Sequence, residues 1–172
     1  MIRTIATGMP SVATRRAIGE QESREQEYDQ LSAAQGHLLP PDLKLLVIED
    51  NMILALDVED MLLRNGAAGV AVARTCAEAL QLLDHDSFGA ALLDLRLPDD
   101  GSLQVATRLK SLNTPFLFAT GYGETAIAPE PFQAVPVVGK PYNEFFLLTR
   151  LAALLSDRPD AGRPDAGRPE SV

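Results

Sequence analysis

The chain has 172 residues, 46% hydrophobic and 23% charged, which supports one domain with tails and a sizeable core. Its formal net charge of −9 disfavours nucleic acid as a partner, because that affinity comes mostly from Lys and Arg neutralising phosphates. One cysteine, Cys76, excludes an internal disulfide framework or a Cys-rich zinc cage, two histidines argue against a His-based metal site, and no apolar run approaches the ~20 residues that span a bilayer.

The first residues carry Arg3, Arg15 and Arg16 with no acid before Glu20, yet no long apolar stretch follows them, so they do not read as a cleaved signal. Residues 17–36 are charged and Gln-rich, with Ile18, Tyr28 and Leu31 too sparse for a helical stripe. The expectation is a disordered or weakly helical arm over 1–41, closed by Pro40-Pro41, and a folded domain over 42–156. Within that domain residues 45–48, 70–73, 90–93, 116–119 and 135–138 are apolar runs of strand length. The first helix is expected over 52–64, where Ile53, Leu56, Met61 and Leu63 alternate with acids and Asn65-Gly66 gives a stop. Thr75 and Glu78 form a capping box opening a helix over 76–83, and apolar periodicity predicts two more helices over 103–112 and 142–155. Pro129, Pro131 and Pro136 leave no room for a full helix between the fourth and fifth strands. Beyond Leu155 the pentad Asp-Ala-Gly-Arg-Pro occurs at 160–164 and again at 165–169, and two such copies cannot bury a face. A flexible tail is expected over 157–172.

This alternation predicts an α/β fold with a mostly parallel sheet covered on both faces, whose sites lie where strands end. Strand one ends in Glu49-Asp50, strand three in Asp94, strand four in Thr120-Gly121 and strand five in Lys140-Pro141. Singly these have structural explanations: Asp50 or Asn51 can cap the helix from Met52, Asp94 can begin a turn through Pro98-Asp99-Asp100-Gly101, and Lys140 can be a solvated charge. Together they put carboxylates, a hydroxyl and an ammonium around one crevice, which turn chemistry does not require. Carboxylates within ~4–6 Å of one another repel by up to about 4 kcal/mol per pair at an effective dielectric near 20, so one is protonated or a cation sits among them. An oxygen-only donor set suits a hard ion, and few carboxylates suit Mg²⁺ better than a Ca²⁺ cage. A carboxylate beside Mg²⁺, an ammonium and a hydroxyl is an activated acceptor for phosphoryl transfer.

Over residues 43–155 the sequence resembles the receiver domain of bacterial two-component response regulators. The resemblance is carried by residues 45–50 (LLVIED), 92–98 (LLDLRLP), Thr120-Gly121 and Gly139-Lys140-Pro141. It implies a flavodoxin-like, doubly wound five-stranded parallel sheet in the order 2-1-3-4-5, with an irregular fourth helix. It further implies that Asp94 is the phosphoacceptor, that Glu49, Asp50, Asp94 and the backbone carbonyl of Arg96 hold Mg²⁺, and that Thr120 is a switch hydroxyl and Lys140 the partner of the phosphoryl group. A cis Lys140-Pro141 peptide bond is expected on the same basis. Residues 115–122 (PFLFATGY) are similar to the PFxFATGY motif of the FAT GUY receivers, a single-domain subfamily linked to histidine kinases of the HWE/HisKA2 type and to stress signalling.

Three departures stand out: Glu49 occupies a position where Asp is commoner, the loop after Asp94 is about one residue short, and Val137 stands where many receivers carry an aromatic switch residue. With Val137 in place, Tyr122 beside Gly121 becomes the candidate relay, against the plainer reading that Tyr122 packs near Phe118 and Tyr142. The expected protein is a cytoplasmic phosphoacceptor, not an enzyme acting on other substrates, although it would catalyse its own phosphorylation and dephosphorylation. The 17 residues after Leu155 are too few for an output domain, so it would act on a downstream protein or phosphotransfer partner, or drain phosphate from its kinase. The competing class is a non-phosphorylated receiver-like interaction module, which would lack Asp50, Asp94 or Lys140, and all three are present. A dinucleotide site at residues 121–126 would need a helix that Pro129 interrupts, and a haloacid-dehalogenase-type phosphatase would need Asp where Arg96 stands. Cys76 reads as a small partly buried residue and His85 as a solvated loop residue.

Overall fold

A computed structural model of the chain describes residue 23 and residues 38–98, 101–121 and 128–156. The expected arm and tail, and Asp99, Asp100 and Tyr122, lie outside those residues. The chain divides into two units, Met1–Gly36 and His37–Val172, and in the first only Ser23 is described, as a helical, exposed residue.

In the second unit Leu39 and Leu43 bury their side chains ahead of the first strand, and the N–H groups of Leu38 and Leu39 donate to the carbonyl of Asn65. Among the described residues nine elements follow: β1 (Lys44–Ile48), α1 (Met52–Arg64), β2 (Gly69–Ala73), α2 (Cys76–His85), β3 (Ala90–Asp94), α3 (Ser102–Ser111), β4 (Phe116–Thr120), β5 (Val137–Gly139) and α4 (Glu144–Ser156). All strand pairs are parallel, and the sheet order is β2-β1-β3-β4-β5. Alternate strand residues face opposite sides. Leu46, Ile48, Ala91, Leu93, Phe116 and Phe118 pack with α2 and α3 residues, including Ala79, Val105 and Leu109. Leu45, Val47, Leu92, Leu117 and Ala119 are equally buried on the other side, which explains why the strands read as continuous apolar runs. This is the doubly wound, flavodoxin-like fold that the sequence predicts.

Local chemistry sets the element ends. Asn51, not Asp50, caps α1: its Oδ1 accepts from the N–H groups of Ile53 at 3.0 Å and Leu54 at 3.4 Å. At the other end Gly66 takes the left-handed turn, φ 100°, that stops the helix. At α2 the Thr75 hydroxyl accepts from Glu78 N–H at 3.2 Å while the Glu78 carboxylate accepts from Arg74 N–H at 2.7 Å. That helix runs two residues past its expected end, so His85 is its last residue and no loop residue, with Nδ1 2.8 Å from the carbonyl of Gln81. Cys76 is buried, as expected.

Strand β5 begins two residues later than expected. Pro136 has no N–H to pair, its carbonyl accepts from Phe118 N–H at 2.9 Å, and the Val135 N–H is turned back to the carbonyl of Phe132 at 2.8 Å. Ahead of it, residues 128–136 are turns with no helix among them, and the Glu130-Pro131 peptide is cis. Phe132 anchors this segment by edge-to-face contacts with Phe116 and Phe118, ring centroids 6.0 and 6.1 Å apart.

Candidate functional site

The parallel register brings the strand ends together. Ile48 pairs with Leu93, Asp94 with Ala119 and Thr120 with Gly139, so Glu49, Asp94, Thr120 and Lys140 emerge side by side at the C-terminal ends of the strands. Backbone hydrogen bonds extend the ladder one step beyond the strands: Glu49 N–H donates to Ala73 O, Leu95 N–H to Ala119 O and Lys140 N–H to Thr120 O.

Ligand oxygens of Glu49, Asp50 and Asp94 all lie within 4.8 Å of one another. Glu49 is 2% exposed and Asp94 5%, a degree of burial that costs several kcal/mol per charge unless each is compensated. Lys140 supplies that compensation. Its Nζ lies 2.7 Å from Asp94 Oδ2 and also pairs with Glu49 Oε2, and its side chain is only 10% exposed. The cation that the carboxylate cluster demands is thus in part the protein's own ammonium, and Lys140 is not a solvated charge. The Lys140-Pro141 peptide that follows is cis, as the resemblance to receiver domains implies.

The other lone pairs are tethered as well. Asp94 Oδ1 accepts from Arg96 N–H at 2.9 Å, and Glu49 Oε1 from Asn51 N–H at 3.3 Å. Thr120 is buried at the end of β4 and Gly121 follows it, with open space where a Cβ would stand. With Asn51 serving as the cap, the half-buried Asp50 carboxylate is left to the cluster.

Two contributors escape the sequence reading. Tyr142 donates its hydroxyl to Glu49 Oε2 at 3.3 Å, and burial first, then the charges of Glu49 and Asp94, push its pKa far above the ordinary value for tyrosine. Buried Ser102 ties down the loop after β3: its hydroxyl donates to the carbonyl of Asp94 at 2.7 Å and accepts from Leu97 N–H at 3.3 Å. Neither residue type announces such a role, although Tyr142 stands in the same Lys-Pro-Tyr run that carries the lysine. No helix among the described residues is long and apolar enough to cross a membrane.

The chain is 30% identical over 103 residues to the phyllosphere-induced regulator PhyR of Methylorubrum extorquens, covering 58% of this chain and 39% of that protein. It is equally similar, at 30% over 105 residues, to the sensory transduction protein LytT of Bacillus anthracis, covering 59% of this chain and 43% of LytT. It thus spans less than half the length of both. Among solved structures, a response regulator receiver protein from Sinorhizobium medicae is 26% identical with a TM-score of 0.61, covering 69% of this chain and 98% of its own. Residues 45–152 match the family model of the response regulator receiver domain, a span holding four strands, all but the first residue of β1 and the whole carboxylate–lysine cluster, and so the chain belongs to the family of response regulator receiver domains.

Proposed function

We propose that the protein is a single-domain response regulator in which Asp94 accepts a phosphoryl group from a phosphohistidine of a histidine kinase. The observation that carries this reading is the convergence of Glu49, Asp50 and Asp94 within 4.8 Å with the Lys140 ammonium on Asp94. The donor set is all oxygen and fits Mg²⁺, with Glu49, Asp50, Asp94 and the Arg96 carbonyl as its holders. Bound there, Mg²⁺ supplies neutralisation of charge on the transferring group. A carboxylate oxygen of Asp94 forms the new P–O bond as the P–N bond to the donor imidazole breaks and its electron pair returns to the ring. Lys140 neutralises charge on the phosphoryl oxygens and the Thr120 hydroxyl donates to one of them, so the residues contribute positioning and electrostatics. The protein is a phosphoacceptor that catalyses its own phosphorylation and its dephosphorylation, in which the phosphoryl group passes from the Asp94 carboxylate to water.

The PFLFATGY run at 115–122 supports membership of the FAT GUY receivers, a kinase of the HWE/HisKA2 type and a stress-signalling role, to which similarity to PhyR, described in its solved structure as a stress response regulator, adds weight. Output is through a protein partner bound on phosphorylation or through drainage of phosphate from the kinase, in the cytoplasm, with Gly121 and Tyr122 relaying the movement of Thr120. Incubation with acetyl phosphate and Mg²⁺ followed by intact-mass analysis tests the chemistry: one phosphate, removable by hydroxylamine, is expected, with none on Asp94→Asn or in the presence of EDTA. Labelling of Asp94→Asn to the wild-type extent overturns the reading.

A further inference from the structure

We infer that Tyr142 is a positioning residue for the metal-side carboxylate, its hydroxyl and the longer side chain of Glu49 forming a matched pair that holds the Glu49 carboxylate in place independently of Lys140. The inference rests on the phosphoacceptor reading above and adds to it a role for a side chain outside the acidic set.

Glu49 carries one more rotatable bond than an aspartate, so its carboxylate needs more anchoring to be preorganised. The structure provides an anchor on each oxygen, Asn51 N–H on Oε1 and the Tyr142 hydroxyl on Oε2, both at 3.3 Å. Lys140 also sits on Oε2, but the same ammonium holds Asp94 Oδ2. A lysine drawn to a phosphoryl group on Asp94 can no longer serve Glu49 fully. The phenol then remains as the side-chain donor on Oε2. An aspartate at position 49 would fall about one C–C bond, ~1.5 Å, short and leave the hydroxyl out of hydrogen-bond reach.

The phenol is itself held in place. Tyr142 follows Pro141 directly, and the chain is fixed beyond it where Asn143 Oδ1 accepts from Phe146 N–H at 3.1 Å and Glu144 Oε1 accepts from Asn65 Nδ2 at 2.7 Å. One short turn from Lys140 to Tyr142 thus delivers two donors to one carboxylate oxygen, one of which is committed elsewhere and one of which is not.

A double-mutant cycle on the full chain tests this, with Mg²⁺ affinity measured by calorimetry in the absence of any phosphodonor. Tyr142→Phe keeps the ring and removes only the hydroxyl. It should weaken Mg²⁺ binding by about threefold to tenfold in the wild-type background and by less than about twofold in the Glu49→Asp background. In metal-free protein the ¹³C resonance of the Glu49 side-chain carboxyl should move on Tyr142→Phe. Equal weakening in both backgrounds, or an unmoved carboxyl resonance, overturns the pairing while the phosphoacceptor reading stands. A wild-type protein that neither binds Mg²⁺ nor takes up phosphate overturns the phosphoacceptor reading itself.

Discussion

Two nearly buried carboxylates, Glu49 and Asp94, share one ammonium, and removing it leaves both without their cation. Lys140→Met keeps most of the side-chain volume and deletes the charge, so in EDTA it should destabilise the fold by about 3–5 kcal/mol, the cost typical of a buried charge stripped of its partner. Mg²⁺ should return a large part of that loss, because a bound divalent ion neutralises the same oxygens. Urea unfolding of the variant with and without Mg²⁺ checks both halves, and a variant as stable as wild type in EDTA would mean that the ion pair contributes nothing net. The same geometry shows what was legible beforehand. Electrostatics called for either a proton or a cation among Glu49, Asp50 and Asp94 and the strand ends put the Lys140 ammonium in the same crevice, but which carboxylate oxygens it pairs with depends on where a side chain 46 residues from Asp94 comes to rest. Tyr142 was illegible for the same reason, since its partner lies 93 residues away and its residue type is equally suited to a core.

Helix α1 has both ends fixed by residues that the sequence displays, Asn51 and Gly66, and it is the element whose expected and observed limits coincide. Asn51→Ala removes the acceptor for two N–H groups and should cost about 0.5–2 kcal/mol in thermal or urea unfolding, leaving the Asn51 backbone N–H on Glu49 in place. The start of β3 is tighter. Gly89 donates to the carbonyl of Lys44, and a Cβ there would stand 2.4 Å from the Cδ1 of buried Leu43. Gly89→Ala therefore forces the buried Leu43 side chain to shift and should destabilise by about 1–3 kcal/mol, a prediction that fails if its melting temperature matches wild type. The limits that were harder to read are those of β5, α3 and α4, which begin where a proline, a glycine and a proline-led turn interrupt the pattern; the Asn143 side chain and carbonyl accept from the Phe146 and Leu147 N–H groups at the start of α4. At α3 the cap position is Gly101, which has no side chain to signal it.

Across the whole molecule, stability is coupled to pH at the alkaline end through the site. Burial and the carboxylates beside it raise the Tyr142 pKa above its ordinary value of 10.0 in the folded chain. The contribution is therefore fully present below about pH 10 and is lost as the pH rises further, because the unfolded chain gives up that proton first. Wild type should lose stability up to about 1.4 kcal/mol per pH unit more steeply than Tyr142→Phe above that point, and parallel curves would remove the coupling. The parallel, doubly covered sheet was legible because it follows from the alternation of apolar runs and helical periodicity along the chain, which needs no knowledge of side-chain partners, whereas the strand order β2-β1-β3-β4-β5 was legible only through the resemblance to receiver domains. The sheet order has one more consequence, for self-association. An open sheet ends in two strands with one margin each left for pairing, among the described residues β2 and β5. Strand β5 is only three residues long and lies between Pro136 and Pro141, neither of which has an N–H to offer a neighbouring chain. Strand β2, Gly-Val-Ala-Val-Ala, has five residues and no charge. Any strand-to-strand polymerisation of this protein would therefore start from the β2 margin, where a single lysine, Val70→Lys, would act as a gatekeeper against it.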